Sequence, residues 1–89
     1  MARVSFTANL ERHVAVPSMA VPATTVREAL DAVFAQNPTL RSYIVDEHGR
    51  LRRHVNVFVN AEAVVDRIGL SDSIGSDDEI YVFQALSGG

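Results

Sequence analysis

Cysteine is absent from the 89 residues, which excludes a disulfide framework, a thiolate metal site and a cysteine nucleophile supplied by this chain. Lysine is absent too: all eight basic residues are arginine, a pattern for which coding bias is the bland explanation, since alanine, valine and arginine are all frequent. There is no tryptophan, and no apolar run approaches the roughly 18 residues needed to span a bilayer. No membrane role is expected. The stretch "MARVSFTANL" lacks the apolar centre and small-residue cleavage site of an export signal, so the expected compartment is the cytoplasm. A net charge of −3 leaves no basic stripe for a phosphate backbone, which argues against nucleic acid as a partner. The apolar and charged fractions are those of an ordinary globular protein, and a chain this short should form one domain burying roughly 60 to 65% of its unfolded surface.

Alternation and capping signals give an order of elements. In "ARVSFTA", Val4 and Phe6 fall on one face and Arg3, Ser5 and Thr7 on the other, the period of a half-buried strand. A polar turn near residues 9–12 leads to "HVAVPSMAVPA", where Pro17 and Pro22 confine any strand to an edge, so the two form an opening hairpin. Thr25-Val26-Arg27-Glu28 matches a capping box, and Val26, Ala29, Leu30, Val33 and Phe34 form one apolar stripe, predicting a helix over 26–36 that stops at Asn37-Pro38. Leu40, Tyr43 and Ile44 are expected to cover the sheet from an irregular turn, and Gly49 marks a tight turn in "DEHGR". "RHVNVFVN" sets Val55, Val57 and Val59 against His54, Asn56 and Phe58 and reads as a central strand. A short strand in "NAEAVV" follows a turn at Asn60 and Ala61, a polar connection is anchored by Leu70 and Ile74, and "EIYVFQA" is the last strand. One helix on one face of such a sheet is a two-layer α+β architecture, with a single domain over 1–87 and a Gly-Gly tail at 88–89.

Candidate chemistry is sparse inside this frame. His13, His48 and His54 share no metal-ligand spacing, and strand ends and turns commonly carry solvated histidines. Asp77, Asp78 and Glu79, a short acidic run before a strand, read as a solvated turn. No metal and no catalytic group are expected. Phe58, Tyr81 and Phe83 are more informative, because with the valines facing the helix they project from the uncovered side of the sheet, where an exposed apolar patch marks a docking surface. The bland alternative is that scattered exposed aromatics need no partner. Arg52 and Arg53 would supply charge at the rim. The chain closes on Leu86-Ser87-Gly88-Gly89, and a Gly-Gly end arises by chance only about 0.5% of the time at average glycine usage. A frayed end is one reading. The other is chemical: an unbranched tail threads into a narrow pocket, where its carboxylate is attacked without steric hindrance.

On "VSF", "TTVREAL", "HVNVFVN", "SDDEIYVF" and "ALSGG", the chain resembles the MoaD/ThiS family of ubiquitin-like sulfur-carrier proteins over nearly its whole length. The resemblance implies a β-grasp fold: a mixed sheet of four to five strands packed on one main helix, with the first and last strands adjacent and parallel. It also implies a protein co-substrate in place of an enzyme. The carboxylate of Gly89 would be adenylated by a ubiquitin-activating-type enzyme that uses ATP and magnesium, then converted to a thiocarboxylate with sulfur from a donor protein and spent by a sulfur-acceptor synthase. Gly88 and Ser87 would belong to the threaded tail, and Phe83, Phe58, Tyr81 and Leu86 to the docking patch. No cofactor would be bound, and the chain alone would be a monomer. Of the pathways, "RRHVNVFVNAE" is more similar to carriers feeding cysteine synthesis than to thiamin carriers or to the small subunit of molybdopterin synthase, whose paired prolines are replaced here by Gln84-Ala85. Two other readings stay open: a protein modifier conjugated through Gly89, and a non-covalent ubiquitin-like interaction domain.

Overall fold

The computed structural model describes residues 1–6, 18–53 and 55–84. Strand β1 (Ala2–Phe6) follows its alternation, burying Ala2, Val4 and Phe6 while Arg3 stays exposed and Ser5 half-buried. It pairs antiparallel with β2 (Met19–Val21), as the opening hairpin requires. Residues 13–17 of the proline-punctuated stretch, His13 and Pro17 among them, and the turn at 9–12 lie outside the described residues.

Helix α1 (Val26–Gln36) has the expected limits and stripe: Val26, Ala29, Leu30, Val33 and Phe34 are all buried. Its N-terminus is capped from both sides. The Thr25 hydroxyl accepts the Glu28 amide at 3.2 Å, and Glu28 Oε1 reaches one residue further back than a capping box prescribes, accepting the amide and the hydroxyl of Thr24, each at 2.8 Å. The next free amides are met by the long connection before the last strand: Val26 donates to the Asp72 carbonyl at 3.0 Å and Arg27 to that of Leu70 at 2.9 Å.

Asn37 ends α1, but the irregular turn expected after it is a second helix, α2 (Pro38–Ile44). Pro38 occupies the first helical position, where its missing N–H costs nothing and its fixed φ suits the helix, so the residue that stops α1 also starts α2. Leu40 and Ile44, four apart, are buried by the second helix as the turn was expected to bury them. Among the described residues, two helices contribute to the core that covers the sheet.

Strand β3 (Val55–Val59) buries Val55 and Val57, and a tight turn at Asn60 (φ 56°) returns the chain into β4 (Glu62–Ala63). β5 (Glu79–Gln84) completes a five-stranded mixed sheet of order β2-β1-β5-β3-β4. The middle position belongs to β5, and β3 is the interior strand beside it. β5 runs parallel to β1 and antiparallel to β3, so the first and last strands do lie side by side. Ile80 and Val82 are fully buried with Val4, Leu30, Leu40, Ile44 and Leu70 in one core between sheet and helices. Leu70 and Ile74 anchor the long connection as the apolar pattern predicts.

Candidate functional site

The face of the sheet turned away from the helices carries the aromatic cluster. Pairing of β3 with β5 sets Phe58 opposite Tyr81 and Asn56 opposite Phe83, so the three rings share one face by register alone. Phe58 and Phe83 sit on a cross-strand diagonal and meet edge to face, centroids 5.5 Å apart and planes at 90°. Phe83 keeps 39% of its surface exposed, whereas Phe58 and Tyr81 are half-buried. With Asn60 they line an open, almost wholly apolar groove of about 450 Å³. On its other flank, parallel pairing places Ser5 beside Tyr81, and Ser5 Oγ lies 3.0 Å from Ser18 Oγ.

Polar groups at one end fix this surface. The Tyr81 hydroxyl donates to Glu79 Oε2, and that bond, reinforced by partial burial and the carboxylate's charge, raises the phenol above its ordinary value. Asn60 holds the start of β5 three ways: its amide donates to the Glu79 carbonyl at 2.7 Å, its Oδ1 accepts the Glu79 amide at 3.1 Å, and its Nδ2 donates to Asp78 Oδ1 at 3.0 Å. Asp78 also accepts the Gly75 amide at 2.7 Å, and the amide and the Asn60 side chain together lower its pKa. Asp78 is thus part of a turn, as the acidic run suggested. The position of Asn60 as a wall of the groove was not legible beforehand; its turn signal was.

At the other end, β5 finishes in the middle of the sheet at Gln84, opposite Val55, the first residue of β3. Arg67 braces the start of β3, its Nη2 donating to the carbonyls of Arg52 (2.9 Å) and Val55 (2.8 Å). Arg52, expected at the rim, is instead turned to the second helix, its Nε donating to the Ser42 carbonyl at 2.6 Å, while Arg53 is exposed. His48 stands in an exposed turn beside Glu47, at 3.7 Å. Leu86, Ser87, Gly88 and Gly89 of the expected site, and His54, lie outside the described residues. Among the described residues, no group of three or more histidines and carboxylates could hold a metal ion, and no helix is long and apolar enough to cross a membrane.

The described residues thus present an apolar groove of aromatic side chains on the sheet face turned away from the helices. The ThiS family model matches residues 9–89, the aromatic face and the terminal glycines included. The chain belongs to the ThiS family. It is a member of the ubiquitin-like β-grasp carriers and modifiers, small proteins that are not themselves enzymes. Small archaeal modifier protein 1 of Haloferax volcanii is 37% identical over 65 residues, spanning 73% of this chain and 70% of that protein. The crystal structure of the Haloferax volcanii protein superposes with a TM-score of 0.82 at 30% identity, covering 99% of this chain and 98% of that one. CysO of Amycolatopsis orientalis, solved in complex with BexX, gives a TM-score of 0.82 at 29% identity with complete coverage of both chains. Among the described residues, this ThiS-family member has five strands in mixed pairing and two helices, and its α2 is the departure from the single-helix expectation.

Proposed function

We propose that the protein is a sulfur carrier that holds sulfur as a thiocarboxylate on Gly89. The observation that carries this reading is the family match running through residue 89 onto a sequence that ends Ser87-Gly88-Gly89. A partner enzyme of the ubiquitin-activating type, using ATP and magnesium, joins the Gly89 carboxylate to AMP and releases pyrophosphate. Hydrosulfide from a donor protein then attacks the acyl carbon; a C–S bond forms, the C–O bond to AMP breaks, and the thiocarboxylate remains. Gly88 and Ser87 supply the narrow approach, since glycine presents no side chain to a constricted pocket. The groove of Phe58, Tyr81 and Phe83 seats the carrier on the activating enzyme and then on the sulfur acceptor. The chain brings no cysteine to this chemistry, so its terminal acyl group is the place where sulfur can reside covalently.

Among pathways, we favour a carrier that serves cysteine synthesis. The likeness of "RRHVNVFVNAE" to such carriers and the superposition on CysO support this choice. A second reading is favoured by the 37% identity to a small archaeal modifier: conjugation of Gly89 to lysines of other proteins. Both share adenylation, so exchange of labelled pyrophosphate into ATP by the activating enzyme tests what they have in common. The full chain should support exchange, and a chain lacking Gly88 and Gly89 should not; unchanged exchange by the shortened chain overturns both. Amide-linked adducts on foreign lysines, in the presence of sulfide, would select the modifier.

A further inference from the structure

The groove lined by Phe58, Asn60, Tyr81 and Phe83 has two unlike ends. Side chains on one face of a strand recur every second residue, so Glu79, Tyr81 and Phe83 follow one another along β5 at intervals of about 7 Å. The Glu79 carboxylate closes one end through its bond with the Tyr81 hydroxyl. At the other end Phe83 stands opposite Asn56, whose Oδ1 accepts from Arg67 Nη1 at 3.4 Å. Negative charge marks the first end and positive charge the second.

The protons at the Glu79 end are already spent. Tyr81 gives its single hydroxyl proton to Glu79 Oε2, which leaves its own oxygen with lone pairs only, and a carboxylate has no proton to offer. The Asn60 side chain is engaged with Asp78 and the Glu79 amide, and Asp78 with Asn60 and the Gly75 amide. Arg3 lies level with Glu79 on the neighbouring strand, yet the ion pairs among the described residues are those of Arg50 with Asp46 and of His48 with Glu47. Glu79 therefore has no cation of its own. The rings add to the demand for one, because the face of an aromatic ring attracts positive charge. Guanidinium suits such a place better than ammonium: it is planar, stacks on rings, is weakly hydrated and delivers paired N–H groups to a carboxylate, while its aliphatic stem packs on apolar walls.

We infer that the groove takes an arginine side chain of a partner protein, with its stem on Phe58 and Tyr81, its guanidinium at Glu79, and an apolar neighbour of that arginine at Phe83. The inference deepens the reading of this groove as the seat of a partner and rests on it. It also gives the seat a direction, since a partner laid the other way would bring its cation to the Arg67 end.

Two short peptides test this on the full, isotope-labelled chain: acetyl-leucyl-arginine amide, and its citrulline counterpart, in which a neutral urea of the same shape replaces the guanidinium. No activating enzyme is involved, so the outcome is separable from whether Gly89 is adenylated. The arginine peptide should shift the amide resonances of Phe58, Asn60, Tyr81 and Phe83 saturably, and the citrulline peptide should bind roughly three- to fivefold more weakly, the scale of an exposed charge pair. Glu79→Gln keeps the backbone bonds to Asn60 and an oxygen for the Tyr81 hydroxyl, so it should fold as wild type does and abolish the difference between the peptides. Asp77→Asn, which neutralises a nearby exposed acid, should retain that difference. The absence of saturable shifts at the groove, equal affinity for both peptides, a difference that survives Glu79→Gln, or its equal loss in Asp77→Asn would each overturn the inference.

Discussion

Phe58 and Phe83, on adjacent strands but two residues out of direct register, meet edge to face with ring centroids 5.5 Å apart. The pair exists because β5 lies between β1 and β3, which puts the last strand of the chain in the middle of the sheet and its odd-numbered side chains on the face the helices leave bare. One strand therefore does two things: it locks the core through Ile80 and Val82, and it lines the apolar groove through Tyr81 and Phe83.

Phe83→Ala removes one ring of that pair from a position 39% exposed. An aromatic pair contributes about 0.5–1.5 kcal/mol beyond area burial, so the variant should stay folded with stability lowered by about 1 kcal/mol. Its affinity for the activating enzyme should fall while circular dichroism is unchanged. Urea unfolding and a binding titration measure the two effects separately; unfolding at neutral pH without denaturant would mean that the ring belongs to the core.

Arg27 braces the loops against α1. Its Nε donates to the Gly69 carbonyl at 3.1 Å, and its Nη2 donates to those of Gly49 (2.9 Å) and Ile68 (3.1 Å). Lysine offers a single nitrogen at one point and cannot meet carbonyls on two loops. Arg27→Lys should therefore cost about 1–3 kcal/mol, read as a lowered urea midpoint, because a half-buried acceptor loses its donor. Gly49→Ala should be destabilising for a related reason: φ is +80° there, and an added Cβ would lie 3.0 Å from Arg27 Nη1.

Asp66 ties the loop after β4 to itself. Its carboxylate accepts the Ser71 hydroxyl at 2.6 Å and the amides of Gly69, Ser71 and Ile68, which together lower its pKa from 3.8 to about 2, the Ser71 hydroxyl contributing most. A carboxyl more acidic when folded than unfolded adds stability above its unfolded value and loses that contribution as pH falls toward its folded one. Asp66→Ala should thus be less stable than wild type at pH 7, and the gap should narrow between pH 3.8 and about 2. Urea midpoints of both proteins across that range measure it; a gap independent of pH would mean that the carboxylate's charge contributes nothing to the loop.

Local patterns in the sequence carried most of the fold. The capping residues Thr25 and Glu28 and the stripe from Val26 to Phe34 fixed α1 at both ends, and alternation in β3 and β5 placed Phe58, Tyr81 and Phe83 on one face. The second helix escaped because Pro38 signals a stop to the helix before it and a start to the one after, and seven residues hold too few apolar positions to show a period. Parallel pairing of β1 with β5 joins residues more than seventy apart and leaves no local signature; it came from the family resemblance. The arginine braces were equally hidden, since Arg27 meets Gly69 forty-two positions away. For the site, the aromatic face could be read from alternation and Asn60 only as a turn, while Gly88 and Gly89 lie outside the described residues.

Thermodynamics of the scaffold bears on the tail only indirectly, since a carrier needs its groove and its terminal residue presented together. The most direct measurement is intact and tandem mass spectrometry after incubating the protein with its activating enzyme, magnesium-ATP and sulfide. The account requires exchange of one oxygen for one sulfur, located at Gly89, dependent on ATP and abolished by removing Gly88 and Gly89. An unchanged mass, or sulfur found at any other position, would contradict it.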